Sequence, residues 1–161
     1  MPFMDFTLTD QHNQRFQLRD HLGKVVVLFF GYTTCPDVCP LTLSTWKRLK
    51  DALGKDAQQV EFVYVTVDPE RDTQERLAKH LAIFSPDFIG LTGTPEELQE
   101  VYSSYGVYRE KVKVSDSAAG YLMNHTSKML VLDKQGKWRL NISYNAPVAD
   151  IVHDLRILLK E

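Results

Sequence analysis

Phe29-Phe30-Gly31-Tyr32-Thr33-Thr34-Cys35-Pro36-Asp37-Val38-Cys39-Pro40 holds both cysteines of the chain, four positions apart. An apolar run, Val25 to Phe30, leads into it. That run is short, β-branched and aromatic, the pattern of a strand buried on both faces. After Pro40 the spacing becomes helical, with Cys39, Leu43, Trp46, Leu49 and Leu53 on one face. Proline suits a first helical turn, where its missing N–H would have no partner. The two thiols therefore sit on a strand-to-helix turn, at or just before a helix N-terminus. Unpaired backbone N–H groups and the helix dipole favour the thiolate there. Thiolate is the form that attacks disulfides and binds soft metals.

The chain has 161 residues, of which 43% are hydrophobic and 25% charged, with a net charge of −2. That is enough to build a core, and we expect one domain, residues 1–161. The near-neutral charge gives no electrostatic case for nucleic acid. No run approaches the roughly 18 apolar residues needed to span a membrane, and no signal peptide is expected within these residues. Two cysteines do not fix the redox compartment.

Outward from the cysteine turn, Phe6-Thr7-Leu8 and Phe16-Gln17-Leu18 alternate around a turn-like Asp10 to Asn13, so an N-terminal β-hairpin is expected. Gly54 ends the first helix, and Val60 to Val67 is a second strong strand. Asp72-Thr73-Gln74-Glu75 reads as a capping box with Asp72 as N-cap. The helix it opens carries Leu77, Leu81 and Phe84 on one face. Phe88 to Leu91 is a third strand. Thr94-Pro95-Glu96-Glu97 opens a helix whose apolar face is Leu98, Val101, Tyr102 and Tyr105. Arg109 to Asn124 has no period and reads as a long loop or a loose hairpin. Met129 to Leu132, a turn at Asp133 to Gly136, and alternating Trp138, Leu140, Ile142 and Tyr144 form a hairpin. Val148, Ile151, Val152, Leu155, Leu158 and Leu159 make a final amphipathic helix. Strands alternating with helices, closed by a hairpin and a helix, fit a thioredoxin-like α/β sandwich.

A Cys-x-x-x-Cys pair is compatible with a redox dithiol, a metal site, or both. A general thioredoxin-type oxidoreductase has two residues between its cysteines and a cis-proline before the late strand. Here the spacer is three residues, and no proline lies between Pro95 and Pro147. A peroxiredoxin needs Thr or Ser three residues before its reactive cysteine and a proline further upstream. Tyr32 and Leu28 stand there instead. A metal site needs another ligand, and His125 stands just before the late strand, which lies beside the cysteine turn in a thioredoxin-like sheet. Cys35, Cys39 and His125 would supply two thiolates and an imidazole. Thiolates suit Cu(I), and imidazole adds affinity for Cu(II). A closed structural zinc site would want four ligands. His12, His21, His80 and His153 read as structural or surface histidines. Met4, Met123 and Met129 form no Met-x-x-Met pattern, and Met123 is only an auxiliary candidate. Asp37 reads as a turn former, the alternative being a role beside the metal or in docking. Asp68 caps a loop or hydrogen-bonds near the site. The rest of the charged run to Asp72 reads as loop and N-cap chemistry.

Gly31 to Pro40 resembles the signature of the Sco (SenC/PrrC) family. So do Val67-Asp68-Pro69-Glu70-Arg71-Asp72-Thr73, Ile89-Gly90-Leu91-Thr92-Gly93-Thr94, Tyr105-Gly106-Val107-Tyr108 and Asn124-His125-Thr126, in order along the chain. The resemblance implies a thioredoxin-like fold that binds copper, as Cu(I) and Cu(II), through Cys35, Cys39 and His125. It implies a metallochaperone that helps assemble the CuA centre of cytochrome c oxidase subunit II. The alternatives are a thiol-disulfide reductase that keeps the oxidase cysteines reduced, using Cys35 and Cys39 as a redox pair, or a copper or redox sensor. Implied partners are subunit II and an upstream periplasmic copper donor or thiol reductant, with the protein itself a monomer. The implied location is the bacterial periplasm, tethered to the inner membrane by an N-terminal anchor expected to be missing from this chain. The mitochondrial inner membrane, on its intermembrane-space side, is the alternative. At one position the chain departs from the family, where aspartate commonly precedes the histidine and Asn124 stands here.

Overall fold

The seven residues of Val25–Gly31 (β3) are all buried and form an interior strand of the sheet. A computed structural model describes residues 3–34, 38–113, 121–125 and 128–161, with backbone alone described for 38, 39, 112, 113 and 121–125. Before β3 come Thr7–Asp10 (β1) and Arg15–Gln17 (β2), the N-terminal hairpin. After it come Val38–Leu53 (α1), Val60–Thr66 (β4), Gln74–Ala82 (α2), Ile89–Thr92 (β5) and Pro95–Ser104 (α3). The chain continues through Arg109–Lys113 (β6), Tyr121–His125 (β7), Met129–Leu132 (β8), Trp138–Ile142 (β9) and Val148–Lys160 (α4).

The main sheet has seven strands in the order β2-β1-β5-β4-β3-β8-β9. β3 and β4 run parallel from Val25↔Val60 to Gly31↔Thr66, and β5 continues the parallel set. Parallel neighbours need crossovers, which α1 and α2 supply. β8 and β9 add antiparallel on the other flank of β3. This is the expected thioredoxin-like α/β sandwich.

α1 buries Leu43, Trp46, Leu49 and Leu53 against the sheet. Trp46 meets Phe62 and Phe88 at centroid distances of 5.4 and 5.5 Å. Its Nε1 donates to the Met129 sulfur at 3.3 Å, tying the cysteine helix to the start of β8. Met129 is thus a core residue rather than a ligand. Gly54 follows α1 at φ +58°, the left-handed stop expected of it. Gly90 is required by close packing: a Cβ there would meet Leu81 Cδ1 at 2.6 Å.

Two helical details differ from what the sequence pattern predicts. The N-cap of α2 is Thr73, whose side chain accepts from the Arg76 N–H, and Asp72 is not a cap. α2 also ends at Ala82, so Phe84 lies beyond it. The aperiodic stretch after Tyr108 takes the hairpin form: β6 and β7 pair antiparallel over five positions, from Arg109↔His125 to Lys113↔Tyr121. They form a separate two-stranded ribbon.

Candidate metal centre

The main chain leaves β3 at Gly31, whose carbonyl accepts from the Val67 N–H at 2.8 Å. Tyr32 is buried. Thr33 donates to the Asp72 carboxylate twice, through its N–H at 3.1 Å and its hydroxyl at 2.6 Å. The Thr34 hydroxyl accepts from Arg76 Nη2 at 3.0 Å. The chain entering Cys35 is therefore held at two consecutive residues by side chains from beyond β4. Cys35 and Asp37 lie outside the described residues. Cys39 is the second residue of α1, with Pro40 behind it in the same turn. Its backbone sits where helix N–H groups lack intrahelical acceptors and the dipole is positive, conditions that lower a thiol pKa.

A buried polar set backs this turn, and of its members the sequence offered only Asp68 as a hydrogen-bonding residue near the site. Asp72 is 1% exposed and also accepts from the Thr66 hydroxyl at 2.8 Å. The Thr66 hydroxyl in turn accepts from the Asp68 N–H at 2.9 Å. Asp68, also buried, pairs with Arg71 Nε at 2.5 Å, and the Arg71 guanidinium lies 5.8 Å from the Tyr32 ring centroid. The charged run after β4 is thus more than loop chemistry, because it braces the residues before Cys35.

Burial pushes the Asp72 carboxyl above the usual carboxylate range, the donors from Thr33 and Thr66 pull it back, and Asp68 adds to the rise. A raised folded-state pKa means that the native state holds this proton more readily than the unfolded chain. The stability contributed by Asp72 therefore increases as pH falls through its folded pKa toward about 4, and the buried charge is a cost above it. Relative to Asp72→Asn, wild type should gain stability between pH 7 and pH 4.5 in urea unfolding. Asp72→Ala should cost about 2–4 kcal/mol at pH 7, because it leaves buried donors without an acceptor. A loss under about 0.5 kcal/mol, the scale of an ordinary surface change, would show that the brace is unimportant.

His125 closes β7, and its backbone stands opposite Arg109. Met129 opens β8 four residues later. The antiparallel register Leu28↔Leu130 brings the start of β8 to the end of the sheet where β3 delivers the cysteine turn. Four residues reach at most about 14 Å. The topology thus directs the His125 strand and the cysteine turn to one end of the sheet. Met123 pairs opposite Lys111, and Asn124 opposite Glu110. Among the described residues no group of three His, Cys, Asp or Glu is placed to hold a metal. His21 stacks on Phe16 at 4.2 Å and lies 3.3 Å from Glu61, in a structural role.

A thioredoxin-like sandwich with a cysteine in the first turn of the helix after its central strand defines a class of thiol and soft-metal proteins. The family model described as SCO1/SenC matches residues 3–160, and the chain belongs to that family. It is 31% identical over 152 residues to an SCO2-like protein of Rickettsia conorii, covering 94% of this chain and 74% of the relative. It is 34% identical over 135 residues to the mitochondrial SCO1 homolog of Homo sapiens, covering 83% of this chain and 44% of the human protein. The structure superposes on copper-bound ScoI of Bradyrhizobium japonicum with a TM-score of 0.89 at 36% identity, covering 99% of this chain and all of that one. No helix among the described residues is long and apolar enough to cross a membrane.

Proposed function

We propose that this chain is a copper metallochaperone that carries copper between Cys35, Cys39 and His125 and helps assemble the CuA centre of cytochrome c oxidase subunit II. The observation that carries this reading is the likeness, over nearly the whole chain, to a ScoI solved with copper bound. The donor chemistry supports it. Two thiolates satisfy Cu(I), an imidazole extends the set to Cu(II), and three ligands leave room for an acceptor's ligand to attack. Cys39 falls in the first turn of α1, where unpaired backbone N–H groups and the helix dipole favour a thiolate over a thiol. The human relative is mitochondrial by name, which supports the mitochondrial inner membrane as one site of action. In a bacterium we place the protein in the periplasm, tethered to the inner membrane.

His125→Ala should weaken Cu(II) much more than Cu(I), with loss or shift of thiolate-to-Cu(II) absorption. Equal losses for both ions, or none for either, would remove His125 from the site. Function itself is tested by mixing copper-loaded protein with the metal-free copper domain of subunit II and following both metal and thiols. A chaperone transfers copper while its own thiols stay reduced. If instead Cys35 and Cys39 become a disulfide as two oxidase thiols appear, with no metal moving, the protein is a reductase.

A further inference from the structure

Arg109 opens β6 at the register position opposite His125. Its guanidinium lies over the Tyr102 ring, 5.7 Å from the centroid. Tyr102 is a firm base for it: 1% exposed, edge-on to Phe30 at 6.2 Å, with its hydroxyl donating to the Thr66 carbonyl at 2.5 Å. Thr66 is paired with Gly31 at the end of β3, and its hydroxyl reaches Asp72, the residue that holds Thr33. Two residues beyond Arg109, Lys111 pairs with Glu70 at 3.1 Å. The β6–β7 ribbon lies outside the seven-stranded sheet, so its ladder does not continue the main one. Side-chain links such as these tie it to the body.

Directly opposite Cα atoms in an antiparallel pair stand about 4.5–5.5 Å apart. Fixing Arg109 therefore fixes the His125 backbone. We propose that Arg109, seated on Tyr102, is a positioning residue that sets His125 relative to the cysteine turn. The proposal rests on the reading of His125 as a copper ligand. A cation over a partly desolvated aromatic ring shifts an equilibrium by about 2- to 30-fold. Removing it lowers the fraction of molecules with the ribbon seated, and the apparent affinity falls by that fraction. The effect is selective for Cu(II), which needs the imidazole, while two thiolates serve Cu(I). An arginine that merely stabilised the fold would lower both affinities together.

The test compares Arg109→Ala, Arg109→Lys, Tyr102→Phe and His125→Ala for Cu(II) and Cu(I) binding, with amide hydrogen exchange on the metal-free proteins. Arg109→Ala should weaken Cu(II) about 5- to 30-fold and Cu(I) less than about 2-fold. It should also speed exchange across 109–113 and 121–125 without copper. Arg109→Lys, which keeps the charge, should restore part of each effect. Tyr102→Phe keeps the ring face under Arg109 but loses the hydroxyl bond to the Thr66 carbonyl, so its loss of Cu(II) affinity should be smaller than that of Arg109→Ala. Unchanged Cu(II) binding or unchanged exchange in Arg109→Ala overturns the proposal, as does an equal loss for both ions. If His125→Ala weakens Cu(II) and Arg109→Ala does not, the positioning role alone fails. If His125→Ala has no effect on Cu(II), the ligand assignment fails, and the proposal with it.

Discussion

Cys35→Ser and Cys39→Ser should each abolish tight Cu(I) binding, which in the reduced wild-type protein should reach one copper per monomer. The reason is ligand softness. A serine hydroxyl is hard and stays protonated at neutral pH, so either substitution leaves one thiolate and an imidazole for a metal that selects sulfur. Losing a group that only supports a metal ligand costs roughly 10–100-fold in affinity, and losing the ligand itself should exceed that. The buried face of α1 carries the four large side chains Leu43, Trp46, Leu49 and Leu53, and a near-isosteric serine in the first turn removes none of them. Thermal unfolding of the metal-free variants should therefore stay close to wild type, which separates lost ligation from lost fold. Full affinity in either variant would sink the assignment.

Oxidation should have as large an effect without any substitution. Forming the Cys35–Cys39 disulfide takes two electrons and two protons from the two thiols to an added oxidant, and leaves neither sulfur as a thiolate. Copper loading and the disulfide should exclude each other, and added dithiol reductant should restore one copper per monomer. Thiolate character at a helix start makes the exchange accessible. Quantifying free thiols and bound copper on the same sample checks this. Protein with a proven, complete disulfide that binds copper as tightly as the reduced form would contradict it.

The fold was readable where one segment decides its own state. The Val25 to Phe30 run became the fully buried β3. Thr94 became a capping box with Glu97, both reciprocal bonds in place. Local patterns misled where distant residues compete for the same group. Asp72 has the spacing of an N-cap, yet its carboxylate serves Thr33, 39 positions away, and the adjacent Thr73 takes the cap. That switch depends on the β3–β4 pairing, which brings Gly31 beside Thr66, and no short window contains it. The pairing of β6 with β7 was obscure for another reason. Arg109-Glu110-Lys111-Val112-Lys113 belongs to a ribbon outside the main sheet and carries no apolar alternation to read. The three candidate ligands were recognised from chemistry and resemblance, whereas Asp72, Tyr102 and Arg109 became visible only through their contacts.

X-ray absorption at the copper edge of the Cu(II)-loaded protein, wild type beside His125→Ala, tests the central claim most directly. A site made of Cys35, Cys39 and His125 predicts two sulfur scatterers and the multiple-scattering signature of one imidazole in wild type, with the sulfurs retained and the imidazole signature lost in the variant. A spectrum without sulfur, or an imidazole signature unchanged by His125→Ala, would contradict it.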